Sequence, residues 1–594
     1  MSLTSSKKII FWGITILFPF LFLLLVEVGL RIGGYNEEAQ ELFIEAPSDS
    51  NFLVTNSSFI GRYFPAFTPT VAPNPFRKEK KPNTFRVFVF GGSSAQGFPY
   101  NFYYSFAEQL EQKLLLNTEG LTVEVINLGM TAVNSYVIRD LSYRTLPYQP
   151  DAILIYAGHN EYYGSFGVGS TQFGLMNSRR LKLCILGLKN LRLYQYLESL
   201  LKQSHSPTND RRTLMAKVVK ESDIALKGSI FRDGVEQFEQ NMNDVLDLYE
   251  KEKVPVYLST IASNLKDQAP LSDNREAIQK FEEAQSFYSN SEYSLALASF
   301  IEAKELDGIR FRAPERVNEA IRDFAKTSNV ELVEVESLLR EKSDSKIEDA
   351  SLFIDHLHPN SKGHKLIASK FFDHLLELEI IKDHYRPTDF KVPQSVSKFE
   401  ETYSNTSISR LLMGYPFQKN LSQEEELRRF DKIYTTYLKS SYIDSIAASA
   451  ARNRHVVAEA LTKVINEGRN RNDTLTVVSH YYELLKWQLN STELIDKGIE
   501  YTVNNRSIDN YLINILSQIL NEGQYDPRYM DVLSAVYIIN GELDKAKYWL
   551  DESERMGSNT PMLYYNLARY HILKGDTVKA SGYYNRFRQS QQSN

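Results

Sequence analysis

The sequence predicts an α/β chain: a parallel, doubly wound sheet, preceded by one long apolar helix and followed by an all-helical region. Three observations carry this reading. Short apolar runs alternate with helical stretches between about residues 84 and 384. Ile9 to Val26 reads IIFWGITILFPFLFLLLV without interruption, and beyond about residue 408 only helical periodicity remains.

The apolar run comes first and is long enough for one membrane span. Lys7 and Lys8 precede it, whereas an acidic stretch (NEEAQE) follows Arg31. The positive-inside rule then puts residues 1–32 down as a cytoplasmic N-terminus plus transmembrane anchor, with the remainder extracytoplasmic, in a periplasm or at a cell surface. A cleaved signal peptide is the competing reading; no small-x-small site closes the run. Residues 33–83, rich in Pro, Asn, Ser and Phe and without a sustained period, are expected to form a stalk that becomes ordered against the next domain.

The sheet follows. FRVFVF (85–90), TVEVINLG (122–129), DAILIYAG (151–158), VPVYLSTIA (254–262) and VELVEVE (330–336) are the expected strands, with helices over 106–116, 135–146 and from about Ser361. Such sheets gather reactive groups at the carboxyl ends of their strands. Two insertions interrupt the α/β domain of residues 84–384. Residues 164–232 are partly basic and expected as helices over one rim. Residues 276–306 read as a helical hairpin with Ala284, Ala296 and Ala303 at small-residue contact positions. A polar linker (385–407) leads to a helical domain (408–594). There Gly541 and Gly575, like Ala546 and Ala580, are 34 residues apart, the period of tetratricopeptide repeats. Such an array binds a protein partner or braces its neighbour.

Composition narrows the function. The chain has 594 residues, a net charge of -6 and no basic cluster of the kind a nucleic-acid partner needs. Its single cysteine, Cys184, excludes an intramolecular disulfide and a multi-cysteine metal site, and is expected to be a small buried hydrophobe.

Four separated segments carry chemistry. FGGSSAQG places Ser93 on a Gly-Gly turn at the end of the first strand, with Ser94 an equally plausible reader of that turn. NLGMTAVNS places Gly129 after the second strand, where its N–H could face the same space. GHNEYYG places Asn160 after the third; an asparagine amide is a good oxyanion donor, and a turn cap is the alternative. FIDHLHPNSKGHKLIA places Asp355 and His358 three residues apart, so a carboxylate can hold one imidazole nitrogen while the other faces a nucleophile. His356 and His364 are rivals for the base. A zinc reading of the histidines lacks a supporting ligand spacing. Arg310 and Arg312 in DGIRFRAPE either bind a substrate carboxylate or phosphate, or fix their loop through ion pairs.

In this order the four blocks resemble those of the SGNH hydrolase family, also called GDSL esterases and lipases, over roughly residues 84–380. The resemblance implies a flavodoxin-like three-layer α/β/α fold, Ser93 as nucleophile, Gly129 N–H and Asn160 as oxyanion donors, His358 as base and Asp355 as its orienting partner. No cofactor and no metal are implied. Gly92 stands where the family has Asp before the serine, and Glu161 where it has Asp after the asparagine. The expected activity is hydrolysis of an acyl ester on a carbohydrate or lipid of the cell envelope. Transfer of the acyl group to an envelope glycan, or a catalytically idle scaffold built on the repeats, are the alternatives.

Overall fold

An apolar run becomes a central strand when both of its faces are covered, and the runs at 85–90, 152–156 and 256–259 do so here. The computed structural model describes residues 5–47, 49–64, 69–170, 178–203, 219, 223–387, 396–418, 421–453, 457–485, 497, 516 and 527–592.

Helix α1 (Ser5–Ile32) contains the apolar run. It leads into a small antiparallel sheet, β1 (Phe43–Ala46), β2 (Asp49–Thr55) and β3 (Phe76–Arg77), with helix α2 (Ser57–Ile60) between the last two. Phe43 and Phe76 pack edge-on to each other and to Tyr148, and both approach Phe88. The buried Arg86 guanidinium donates to the Arg77 carbonyl (2.8 Å) and to Glu124 (2.5 Å), while Glu124 accepts the Arg77 N–H (2.9 Å). Residues 33–83 lack a visible period because their strands are short and their aromatic partners lie elsewhere in the chain.

The main sheet has five strands: β4 (Thr84–Gly91), β5 (Thr122–Asn127), β6 (Ala152–Tyr156), β7 (Val256–Ser259) and β8 (Glu331–Val333), in the order β5-β4-β6-β7-β8. All neighbouring pairs are parallel. Helix α3 (Ser93–Gln96) starts two residues after β4. Helix α4 (Phe106–Asn117) returns to β5 and packs with a later helix, Phe106 stacking on Phe371. Helix α5 (Ser135–Thr145) connects β5 to β6. The chain thus turns one way from β4 to β5 and the other way from β5 to β6. The crevice between the carboxyl ends of β4 and β6 is the switch point where such sheets take ligands.

Of the first insertion, helices α6 (Arg179–Leu188) and α7 (Arg192–Gln203) are described; 171–177, 204–218 and 220–222 lie outside the described residues. Ile185 and Leu186 of α6 join the main core, but Cys184 faces outward, contrary to the expected burial. Helix α8 (Ser229–Lys251) covers the same face as α5. The second insertion is the hairpin α9 (Arg275–Ser289) and α10 (Tyr293–Leu306), with Ala284, Ala296 and Ala303 buried between them. Helix α11 (Glu315–Thr327) precedes β8, and α12 (Val335–Lys342) begins where the fifth strand was expected to continue. The strand stops because Glu336 is drawn into ion pairs with Arg322 (2.6 Å) and with Arg340 one helical turn on (2.8 Å). Helices α13 (Ser361–Leu375) and α14 (Glu379–His384) close the domain, α13 lying beside α4.

Helix α15 (Lys398–Leu412) begins inside the expected linker. It is followed by α16 (Gln423–Leu438), α17 (Tyr442–Asn453), α18 (Val457–Asn470), α19 (Thr474–Leu485), α20 (Pro527–Ile539), α21 (Leu543–Arg555), α22 (Pro561–Leu573) and α23 (Thr577–Gln592). The sequence also reads as degenerate helix pairs at 442–467, 475–501 and 507–523; the last two fall largely outside the described residues. Gly541 and Gly575 have φ of 80° and 81° just past the ends of α20 and α22, the left-handed position at which glycine ends a helix.

The helical region is tied to the α/β domain close to the serine. Asn101, in the loop after α3, donates its N–H to Glu400 Oε1 (2.5 Å), and its side-chain amide to Glu400 Oε2 (2.6 Å) and Glu483 Oε1 (2.8 Å). Burial, together with the neighbouring acid in the case of Glu400, raises both carboxyl pKa values.

Candidate active site

The Ser93 turn is shaped by steric need. A Cβ on Gly91 would lie 2.3 Å from the Tyr156 carbonyl oxygen, and one on Gly92 would lie 2.4 Å from Asn160 Nδ2. Two glycines therefore let β4 run directly into α3 while the asparagine amide comes up beside the serine. Ser93 is the first residue of α3, and no side chain caps that helix. Its own N–H thus points out of the helix start beside its hydroxyl, a donor that the sequence reading did not consider.

His358 Nε2 is 2.7 Å from Ser93 Oγ, and His358 Nδ1 is 2.6 Å from Asp355 Oδ2. Asp355 Oδ1 accepts the N–H groups of Leu357 (2.9 Å) and His358 (2.8 Å), so the three-residue spacing closes a turn around the carboxylate. Asn264, just past β7, holds this turn from behind. Its N–H donates to the His356 carbonyl (3.0 Å) and its amide to the Asp355 carbonyl (3.2 Å). Burial alone would push the Asp355 carboxyl up, but the His358 and His356 rings and their hydrogen bonds hold it well below the ordinary carboxylate range. Phe98 packs against the His358 ring at 4.8 Å.

The rivals fall into other places. Ser94 is buried and donates its hydroxyl to the Leu357 carbonyl (3.2 Å), fastening α3 to the histidine turn. His356 lies between Phe311 and Phe417, and its Nδ1 is 3.3 Å from Asp355 Oδ2. His364 is buried in α13, and burial lowers its pKa to about 3. Ligand atoms of Asp355, His356 and His358 lie within 4.8 Å of one another. Both ring nitrogens of His358 are already engaged by Asp355 and Ser93, which is the geometry of a proton relay.

Asn160 stands at the end of β6. Its Nδ2 donates one hydrogen to the Val133 carbonyl (2.9 Å), leaving the second on the side of Gly92 and Ser93. Glu161 is buried beneath it and accepts from the Ser135 N–H (2.9 Å) and hydroxyl (2.7 Å), capping α5; burial pushes its pKa up to about 7. The preceding His159 bridges two loops, its Nδ1 accepting the Ala313 N–H (3.1 Å) and its Nε2 lying 3.2 Å from the Ala262 carbonyl. Burial lowers its pKa to about 3, so it is neutral.

Two expectations need correction. The Gly129 N–H donates to Asn127 Oδ1 (2.9 Å) and is not turned toward Ser93. The glycine is required for a different reason: a Cβ there would lie 2.5 Å from the Gln96 N and 2.7 Å from the Ala95 carbonyl carbon, in the backbone of α3. Arg310 and Arg312 are buried loop braces and not substrate ligands. Arg310 donates to the carbonyls of Ile224 (3.1 Å) and Glu305 (2.6 Å). Arg312 donates to those of Asn264 (3.1 Å) and Gln268 (3.0 Å) and pairs with Asp307 (3.4 Å).

Residues 208–371 match the family model described as GDSL-like Lipase/Acylhydrolase. The chain carries a GDSL-like lipase/acylhydrolase domain. It is accordingly a hydrolase of the ester-acting class. The matched part of the GDSL-like domain includes Asp355 and His358, while Ser93 and Asn160 lie upstream of it. No curated protein matches the chain. Among solved structures, it is similar to the lipase/acylhydrolase from Enterococcus faecalis at 12% identity, over 51% of this chain and 100% of that one, with a TM-score of 0.27. It is also similar to a catalytic mutant of an acetylxylan esterase from Geobacillus stearothermophilus at 11% identity, over 51% and 98%, with a TM-score of 0.27. A GDSL-like lipase from Bacteroides thetaiotaomicron is 10% identical over 49% and 87%, with a TM-score of 0.26.

Proposed function

We propose that the chain is a membrane-anchored serine esterase in which Ser93, His358 and Asp355 form the catalytic triad. The observation that carries this is the unbroken pair of short contacts from Ser93 Oγ through His358 to Asp355. In the proposed reaction, His358 Nε2 takes the Ser93 proton as Oγ attacks the ester carbonyl. The amide of Asn160 and the N–H of Ser93 receive the developing oxyanion. His358 then returns the proton to the leaving alcohol, and an acyl-Ser93 intermediate remains. Water, deprotonated by His358, releases the acid and restores the serine. Asp355, fixed by two backbone N–H groups, keeps Nδ1 protonated and so leaves Nε2 free to accept.

The anchor reading is supported by α1. It is the helix, among the described residues, long and apolar enough to cross a membrane, and its side chains from Thr15 to Leu25 are exposed. Glu27, at the end of the apolar run, is bonded into the folded domain, which favours retention of the helix over cleavage. With Lys7 and Lys8 on the inner side, the GDSL-like domain faces the extracytoplasmic space. The substrate proposed is an O-acyl group on an envelope carbohydrate.

The test uses full-length protein in detergent or vesicles. A fluorophosphonate should label wild type and not Ser93→Ala, with equal thermal stability. Absence of labelling in folded wild type would refute the triad. Incubation of an activated acetyl ester with and without envelope glycans then shows whether water or sugar takes the acyl group. Resistance of the protein to alkaline extraction from membranes, with the domain open to external protease, tests the topology.

A further inference from the structure

The outer end of α1 is locked to α7. Glu27 accepts the N–H groups of Arg192 (3.1 Å) and Leu193 (2.8 Å), the first two residues of α7, and the Arg31 guanidinium (2.7 Å). A carboxylate from one helix thus caps the N-terminus of another. Past the end of α1, Tyr35 meets Ser199 through its hydroxyl (3.2 Å) and Tyr196 through its ring (5.6 Å). Asn36 donates to Gln195 (2.9 Å).

The rest of α7 has an outward apolar stripe. Leu193, Tyr196, Leu197 and Leu200 follow the i, i+3, i+4, i+7 spacing of one helix face, and the last three are 41%, 50% and 46% exposed. Leu181 and Leu188 of α6 and Leu191 between the helices extend the exposed surface. Beside this surface Arg180 is exposed and Arg192 half-buried, whereas Lys182 and Lys189 are buried and Arg179 pairs with Asp244. Apolar exposure on this scale marks an interaction surface.

We propose that α6 and α7 form an interfacial membrane element, with Leu181, Leu188, Leu191, Leu197 and Leu200 entering the headgroup boundary of an anionic bilayer next to the point where α1 leaves it. The depth of Glu27 argues for lipid as the occupant. Ile9 to Val26 is 18 residues long, about 27 Å of helix, close to the thickness of the hydrocarbon core. Glu27 therefore lies at the membrane surface, and the α7 residues bonded to it lie at that level too. The half-buried Arg192 at that level is attracted to anionic headgroups. The proposal rests on the reading of α1 as a retained anchor.

The test uses full-length protein in vesicles of phosphatidylcholine and phosphatidylglycerol. Cys184 is the single cysteine of the chain and is exposed on α6, one turn from both Leu181 and Leu188, so an environment-sensitive dye can be attached there in the natural sequence. Leu197→Cys and Leu21→Cys, each with Cys184→Ala, place the same dye on α7 and in the middle of the apolar run. The dyes at 184 and 197 should be quenched at least about twofold by lipid nitroxides near the headgroups and be shielded from iodide, as for a helix in the interface. The dye at 21 should be quenched by nitroxides near the chain ends. Quenching at 21 with free iodide access at 184 and 197 would overturn the inference and leave the anchor standing. Absence of quenching at 21 would overturn the anchor, and this inference with it. Shielding from iodide at 184 and 197 without nitroxide quenching would mark a protein-covered face and also overturn the inference. Leu197→Glu with Leu200→Glu, both at exposed positions, should reduce nitroxide quenching at Cys184 by about half without changing fluorophosphonate labelling of Ser93.

Discussion

Asp355→Asn is the substitution in which the proposed mechanism and the structure can be separated most cleanly. Asp355 uses its two oxygens for different tasks: Oδ1 accepts two backbone N–H groups, and Oδ2 faces His358 Nδ1 at 2.6 Å. In the amide variant the carbonyl oxygen keeps the backbone contacts, so the turn survives. The new NH₂ group then faces Nδ1 and donates to it, which forces the ring proton onto Nε2. In that tautomer Nε2 donates and can no longer take the Ser93 proton. Loss of the correct tautomer in a serine triad costs about 10⁴ in kcat, or about 5.5 kcal/mol of transition-state stabilisation. The assay is steady-state and burst kinetics with a chromogenic acetyl ester, with melting followed by circular dichroism. The neighbouring His356 provides the comparison, since its Nδ1 approaches the same oxygen at 3.3 Å but its ring lies between Phe311 and Phe417. His356→Ala should cost less than about tenfold in kcat, or 1.4 kcal/mol. More than a tenth of wild-type kcat in Asp355→Asn, or an equal loss in His356→Ala, would refute the assignment of the pair.

Asn160→Ala should lower kcat by about 10² to 10³ with little change in KM, the loss expected for one oxyanion donor. Gly92→Ala should act in the same direction, because its Cβ would occupy space 2.4 Å from Asn160 Nδ2; unchanged kinetics would remove Asn160 from the site. Glu27→Ala removes the cap of α7 and should cost about 1 kcal/mol locally, read as roughly fivefold faster amide exchange over residues 192–200. The buried Glu400 and Glu483 carboxyls have folded pKa values raised by burial and, for Glu400, by the neighbouring acid. Their contribution to stability is therefore full below the ordinary carboxyl range and is lost as pH rises through the folded values, toward neutrality. The melting temperature of wild type should fall relative to Glu483→Gln between pH 5 and 8, by on the order of 2 °C or more; parallel curves would contradict the raised values.

The sequence made β4, β6 and β7 readable because strands buried on both faces must be nearly all apolar, and each ends in small or polar residues at the rim. β8 was overextended because its Val-Glu alternation continues into α12, where ion pairs of Glu336 decide the conformation. The positions of Ser93, Asn160, Asp355 and His358 are readable because a reactive group at a strand end, or a turn wrapped around a carboxylate, leaves a short local pattern. Gly129 was misread because the direction of an N–H depends on a side chain two residues away, here Asn127. Arg310 and Arg312 have the same spacing whether they face a substrate or a loop carbonyl, and only burial distinguishes the two. The link between Asn101 and Glu400 spans 299 residues and leaves no local pattern at all.

The packing of β1 and β3 between α1 and β4 has a consequence for how substrate is met. A flexible chain of that length, the 51 residues 33–83, would have a root-mean-square span of roughly 40 Å and let the serine sweep a broad volume. Here Phe43 and Phe76 are wedged against Phe88 and Tyr148, and Arg86 is bonded to the Arg77 carbonyl, so the slack is taken up. Whatever surrounds α1 then sets the orientation of the crevice. With α1 held in a bilayer, as proposed, the serine would search by lateral diffusion with a constant pose, like a cutting head on a fixed arm, and a bond outside that arm's reach would be spared whatever its chemistry.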